Sequence, residues 1–154
     1  VDGPAVSFRE ACAADLPAIV ALIADDGLGR SRDDASLPLD VAYVAAFDAM
    51  SADANQVMLL GELDGEIVGY LQVTFIPGLS RKGAWRGQIE SVRVASRLRG
   101  RGIGGKMLEH AIGLCRQRRC SLVQLTSDKT RKEAHRFYGQ FGFQASHDGF
   151  KLQL

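Results

Sequence analysis

The run Arg97-Leu98-Arg99-Gly100-Arg101-Gly102-Ile103-Gly104-Gly105-Lys106 constrains this chain more than any other stretch. Before it, Gln88 to Val94 alternates apolar Ile89, Val92 and Val94 with polar Glu90, Ser91 and Arg93. That pattern reads as a strand with an irregularity near Glu90. After it, Ile103, Met107, Ala111, Leu114 and Cys115 recur on one side of a helix. A glycine-rich turn between strand and helix is a cradle for phosphate. Backbone N–H groups converge there, and the helix N-terminus adds partial positive charge.

Three motifs overlap on these residues. Gly100, Gly105 and Lys106 fit a P-loop, but Met107 stands where the hydroxyl for Mg²⁺ is needed, so nucleotide hydrolysis is poorly supported. Gly100, Gly102 and Gly105 fit a dinucleotide fingerprint, with Asp128 after the next strand. Only about fifty residues follow the turn, too few to complete a doubly wound sheet. Arg99, Gly102 and Gly104 fit [QR]-x-x-G-x-[GA], the pyrophosphate loop of the GNAT superfamily of N-acetyltransferases. Ala134-His135-Arg136-Phe137-Tyr138-Gly139-Gln140-Phe141-Gly142-Phe143 resembles that superfamily's A-x-x-F-Y-x-x-x-G-F segment. The two motifs fall in order, one helix and one strand apart. The resemblance spans roughly residues 57–154. Trp85 through Glu90, and Ala134 to His147, most resemble aminoalkylphosphonate N-acetyltransferases.

The resemblance implies one acetyl-CoA-dependent domain over residues 1–154. Its fold would be α/β, with a central mixed, mostly antiparallel sheet of six or seven strands flanked by about four helices. The strand holding Glu90 would splay from the strand at Ser121 to Thr126, and pantetheine would sit between them. Backbone groups of Val92, Arg93 and Val94 would bond the pantetheine amides and the thioester oxygen. The phosphates would lie on Gly100, Arg101, Gly102, Ile103, Gly104, Gly105 and Lys106. Arg99 and Arg101 would supply charge, and Ser127 would touch pantetheine or simply cap a turn. Arg131 and Lys132 are weaker candidates for the nucleotide phosphate. Glu90 is the candidate general base, acting through a water. Tyr138 is the candidate general acid, since a phenol of pKa ~10 can protonate a departing thiolate.

Elsewhere the pattern gives a short strand at Val6 to Arg9 and a helix from Asp15 to about Ala24. A second helix runs from Asp40 to about Met50. Two strands follow, Val57 to Leu63 and Ile67 to Ile76, joined by a hairpin at Asp64-Gly65. A helix over Lys129 to Gln140 precedes strands near Gln144 and over Phe150 to Leu154.

Charge is divided along the chain. Residues 1–66 hold 13 acidic and 3 basic side chains, and residues 67–154 hold 5 and 16. The basic half suits a polyphosphate. Asp25, Asp26, Asp33 and Asp34 would attract a cationic amine, whereas Arg30, Arg32, Arg81, Lys82 and Arg86 would serve an anionic part of an acceptor. The sequence does not choose among polyamine, amino acid, aminophosphonate, aminoglycoside and protein lysine. Cys12, Cys115 and Cys120 read as reduced thiols in a cytoplasmic protein. With His110 they make no zinc set, and no metal is expected from the motifs, while the resemblance to aminoalkylphosphonate N-acetyltransferases leaves a divalent ion open. His110 reads as a surface residue and His135 as positional, while His147 is open between a substrate contact and a turn cap. The expected partner is a small-molecule primary amine, with no nucleic acid and no membrane; a homodimer is compatible. Three rivals stand: a protein-lysine or N-terminal acetyltransferase, a non-catalytic acetyl-CoA sensor, and a nucleic-acid-binding module. The last is disfavoured because the basic residues surround glycines and lack interleaved aromatics.

Overall fold

The computed structural model describes residues 5–27 and 31–154, so Gly29 and Arg30 lie outside the described residues. The elements in order are β1 (Ser7–Glu10), α1 (Leu16–Ala24), α2 (Val41–Ser51), β2 (Gln56–Leu63), β3 (Glu66–Ile76), a single turn α3 (Ser80–Gly83), β4 (Arg86–Val94), α4 (Ile103–Gln117), β5 (Leu122–Gln124) and α5 (Lys132–Gln140). The strands form one sheet in sequence order. β1 to β4 pair antiparallel, and β5 joins β4 in parallel after the α4 crossover.

Local chemistry accounts for most of these boundaries. Asp64 and Gly65 both have positive φ, 52° and 79°. That is the turn whose twist matches the flanking strands. Asp40 caps α2 by accepting from the Ala42 amide at 2.8 Å. Asp15 precedes α1, but its carboxylate turns back to the Cys12 amide and to Arg9. It thereby ties β1 to the start of the helix.

Apolar residues on the two sheet faces make two cores. Leu59, Leu71, Val73 and Ile89 pack under Met107, Leu108, Ala111 and Cys115 of α4. Met58, Leu60 and Tyr70, on the opposite face, pack under Ile19 of α1 and Phe47 of α2. Alternation along the strands produces this division.

Two expectations are corrected. Five strands and five helices form among the described residues, rather than six or seven strands and about four helices. The extra helix is the turn at Ser80–Gly83, where Arg81 and Lys82 take φ of 53° and 60°. No strand forms at Gln144 or over Phe150 to Leu154. The alternation there is strand-like, but a strand needs a ladder. This segment makes local bonds such as Ser146 N–H to the Gln144 carbonyl, and Phe150, Leu152 and Leu154 remain exposed.

Candidate active site

The glycine turn opens α4 as its sequence requires. Gly100 and Gly102 have φ of 77° and 80°, conformations that cost a residue with a Cβ. Gly102 is the N-cap, and no side chain caps the helix. The first intrahelical bond runs from the Lys106 amide to the Gly102 carbonyl. The amides of Ile103, Gly104 and Gly105 precede it and have no intrahelical acceptor. Gly105 is held small by packing instead, and Gly104 has room for ordinary contacts. A Cβ at 104 would meet Phe137 at 3.7 Å, and one at 105 would meet Phe141 at 3.1 Å. The first turn of α4 therefore lies against α5. Arg99 spans this end of the molecule, donating from Nη2 to the Asp25 carbonyl at 2.9 Å. Arg101 is exposed beside it.

β4 and β5 diverge beside the turn. Their pairing covers Arg86 to Gln88 against Leu122 to Gln124. From Ile89 onward, β3 is the only strand beside β4 among the described residues. Within this free stretch the ladder shifts. Gln72 faces Glu90 while Tyr70 faces Arg93, so β4 carries an extra residue, and Ser91 has φ of 54°. This is a β-bulge. It brings Glu90 and Arg93 onto the α1–α2 face with Tyr70, while Val92 and Val94 pack in the α4 core. The sequence signal for it is the odd spacing between Ile89 and Val92.

Tyr138 stands on α5 over the same region, ringed by Phe137 and Phe143 at centroid distances of 5.2 and 5.9 Å. Burial raises its phenol pKa above the ordinary 10.0, and the positive charges of Arg131 and Arg93 oppose the rise. Burial also pushes the Tyr70 phenol up to about 12, helped by the carboxylate of Glu90. Ser127 lies half-buried after β5. The turn into α5 is braced by Asp128, which accepts from the Thr130 amide at 2.8 Å. His135 Nε2 meets the Asp128 carbonyl at 2.9 Å, which makes this histidine a brace for the turn. Arg131 and Lys132 line an open depression at the start of α5.

A cavity of about 140 Å³ opens between α1, α2 and the sheet, lined by Ile19, Ile23, Tyr43, Phe47, Tyr70 and Ser91. It is largely apolar, with phenols and the bulge serine at its edge. Tyr43 donates to Asp33 at 3.0 Å and accepts from the Asp34 amide at 3.0 Å, fixing the segment that holds these two aspartates. Sequence reasoning missed Tyr43, Tyr70 and the side chain of Arg93, because their importance depends on packing between elements far apart in the chain.

The other singled-out residues lie apart from this region or brace the fold. His110 stacks on Phe8 at 4.5 Å. His147 meets Ser146 Oγ at 2.7 Å. Cys115 is buried in the α4 core. No group of three or more His, Cys, Asp or Glu side chains suited to a metal occurs among the described residues. No helix there is long and apolar enough to cross a membrane.

The chain is similar to known proteins. The chain is 30% identical over 151 residues to an aminoalkylphosphonate N-acetyltransferase of Salmonella typhimurium, covering 98% of this chain and 93% of that protein. A crystal structure described as a transcriptional regulator from Bacillus halodurans superposes with a TM-score of 0.95 at 47% identity, covering 97% of this chain and 100% of that one. The glucosamine-6-phosphate N-acetyltransferase of Arabidopsis thaliana shares the fold, with a TM-score of 0.78 at 23% identity and coverage of 97% and 98%. The model of the Acetyltransferase (GNAT) family matches residues 26–143, a span that holds the bulged strand, the glycine turn and Tyr138. By that match the chain belongs to the acetyltransferase (GNAT) family and is an acyltransferase.

Proposed function

We propose that this protein moves the acetyl group of acetyl-CoA to the primary amine of a small molecule by direct attack. The observation that carries this reading is the divergence of β4 from β5 beside the uncapped glycine end of α4. An extended amide chain fits the gap, and the free amides at the helix end suit its phosphates.

In this reading acetyl-CoA is the co-substrate. The amides of Gly100 to Gly105 hold its pyrophosphate, with Arg101 and Lys106 adding charge. Arg99, already braced on the Asp25 carbonyl, closes the adjoining wall. The backbone of Val92, Arg93 and Val94 bonds the pantetheine and polarises the thioester carbonyl, where fixed dipoles act strongly once water is excluded. Ser127 flanks the pantetheine from the β5 side.

Glu90, through a water, takes a proton from the acceptor ammonium. The neutral amine attacks the thioester carbonyl, and collapse breaks the C–S bond. Tyr138 donates its proton to the leaving thiolate. Burial favours this role, because it keeps the phenol protonated well above neutral pH. The nitrogen loses its second proton to solvent. Products are an acetamide, free CoA and one proton. The acceptor enters by the cavity between α1 and α2, on the sheet face that also carries Glu90. The reading covers residues 1–154 as one domain acting in the cytoplasm on an amine, with no nucleic acid or membrane as partner.

Titration calorimetry with acetyl-CoA at two salt concentrations tests it first. Micromolar binding, followed by thiol release with a panel of amines, is the expected result. Absence of binding by demonstrably folded protein would overturn the reading and bring nucleic acid forward.

A further inference from the structure

Arg93 carries the only buried side-chain polar atom among the described residues that lacks a hydrogen-bond partner, its Nε. Its Nη1 turns back on the Val92 carbonyl at 3.1 Å. Its Nη2 comes only to 3.6 Å from Asp26 Oδ2. The same oxygen is 4.0 Å from Nη1 of Arg131. A closed charge-assisted bond would measure about 2.7–2.9 Å. Two guanidiniums, one from β4 and one from the start of α5, thus converge on a single carboxylate oxygen without closing on it. Arg32 and Asp33 are the next charges felt by Arg93. Among the described residues, Arg93, Arg131 and Arg32 are set here against Asp26 and Asp33.

Burying a guanidinium with an unmade bond is costly, so an oxygen-bearing partner is expected there. Arginine's planar fork suits an oxyanion best. The bulge fixes where that oxyanion would lie. Arg93 and Glu90 face Tyr70 and Gln72, two residues apart on β3. That is a separation of about 7 Å along the strand. Arg93 therefore points into the face where the base would meet the amine, whereas the glycine turn with its free amides is a separate anion site.

We infer that Arg93 and Arg131 hold an anionic group on the acceptor itself, a phosphonate, phosphate or carboxylate joined to the amine by only a few atoms. The oxyanion displaces the Asp26 carboxylate, which the two guanidiniums hold only loosely at 3.6 and 4.0 Å. The inference rests on the acetyltransferase reading of the site and specifies its acceptor.

The test measures kcat/KM by thiol release for 2-aminoethylphosphonate, β-alanine and ethanolamine, which share a two-carbon spacer. At least one anionic acceptor should exceed ethanolamine tenfold or more, and the order of the two identifies the oxyanion. Arg93→Met and Arg131→Met should each cut the anionic-to-neutral ratio at least tenfold, with Arg93→Lys recovering part of it. Arg131 is half-exposed, so its substitution keeps the test open if Arg93→Met misfolds. Equal or better use of ethanolamine, or a ratio unmoved in folded variants, would overturn the inference. If no amine releases thiol, the acetyltransferase reading fails, and calorimetry with 2-aminoethylphosphonate in the presence of CoA decides the rest. Binding lost in the Arg131→Met variant upholds the anion site, and no binding by the unsubstituted protein removes it.

Discussion

Cys115 of α4 lies directly over Gly87 of β4, so close that a Cβ at residue 87 would stand 2.3 Å from its sulfur. Gly87 pairs with Phe75 on one side and Val123 on the other, at the seam where the parallel strand begins. The helix can settle on the sheet only because this position has no side chain. Gly87→Ala should lower stability by about 1–3 kcal/mol through overpacking. The measurement is the urea midpoint, which should fall with little change in slope.

Loss of the Tyr138 hydroxyl should separate chemistry from binding. Tyr138→Phe keeps the ring contacts with Phe137 and Phe143. It should lower kcat by about 10²–10⁴-fold, while acetyl-CoA affinity stays within a few-fold by calorimetry. The phenol is the acid form, and its pKa is raised above 10.0. Deprotonation of Tyr138 should therefore produce no fall in kcat between pH 8 and the ordinary tyrosine value of about 10.

At Gly102 backbone and charge act together. Its φ of 80° strains any residue with a Cβ, and its place at the open helix end puts it beside the proposed phosphate site. Gly102→Glu should abolish acetyl-CoA binding, because a carboxylate would repel the phosphates. Gly102→Ala should cost stability by about 1 kcal/mol and weaken binding less. Comparing the two by calorimetry separates strain from repulsion.

Acid sensitivity should be traceable to Asp15. Arg9 holds this nearly buried carboxylate through bonds of 2.7 and 2.8 Å, and the Cys12 amide adds a third. The Arg9 guanidinium is the largest influence, keeping the Asp15 pKa far below the usual carboxylate range. Its stabilisation is present above the unfolded-state pKa of about 3.9 and is lost as pH falls toward the folded value. Asp15→Asn should lower Tm at neutral pH and make Tm decline less steeply between pH 5 and 2, as followed by circular dichroism.

Much of the fold is local and therefore readable. The Asp64-Gly65 hairpin, the Asp40 cap and the glycine turn are each decided by a few adjacent residues. The irregularity near Glu90 also shows in sequence, as a break in alternation, though its consequence for Arg93 does not. That consequence depends on Asp26 from the end of α1 and Arg131 from the start of α5. The apolar alternation of Phe150, Leu152 and Leu154 misleads for a related reason. Pattern reports what a segment would bury, and pairing depends on a neighbour with free backbone groups in reach.

β5 is joined to the sheet over only three residue pairs. The part of the chain from α4 through α5 is thus attached to the antiparallel strands mainly by side-chain packing, with little backbone stitching. A ligand seated in the gap would serve as the missing rungs. Its binding energy would then enter the folding equilibrium of that half of the molecule, adding about 2.7 kcal/mol at a hundredfold excess over Kd. Occupancy and local order become one linked quantity, and the least stitched region is also the one a substrate would reinforce.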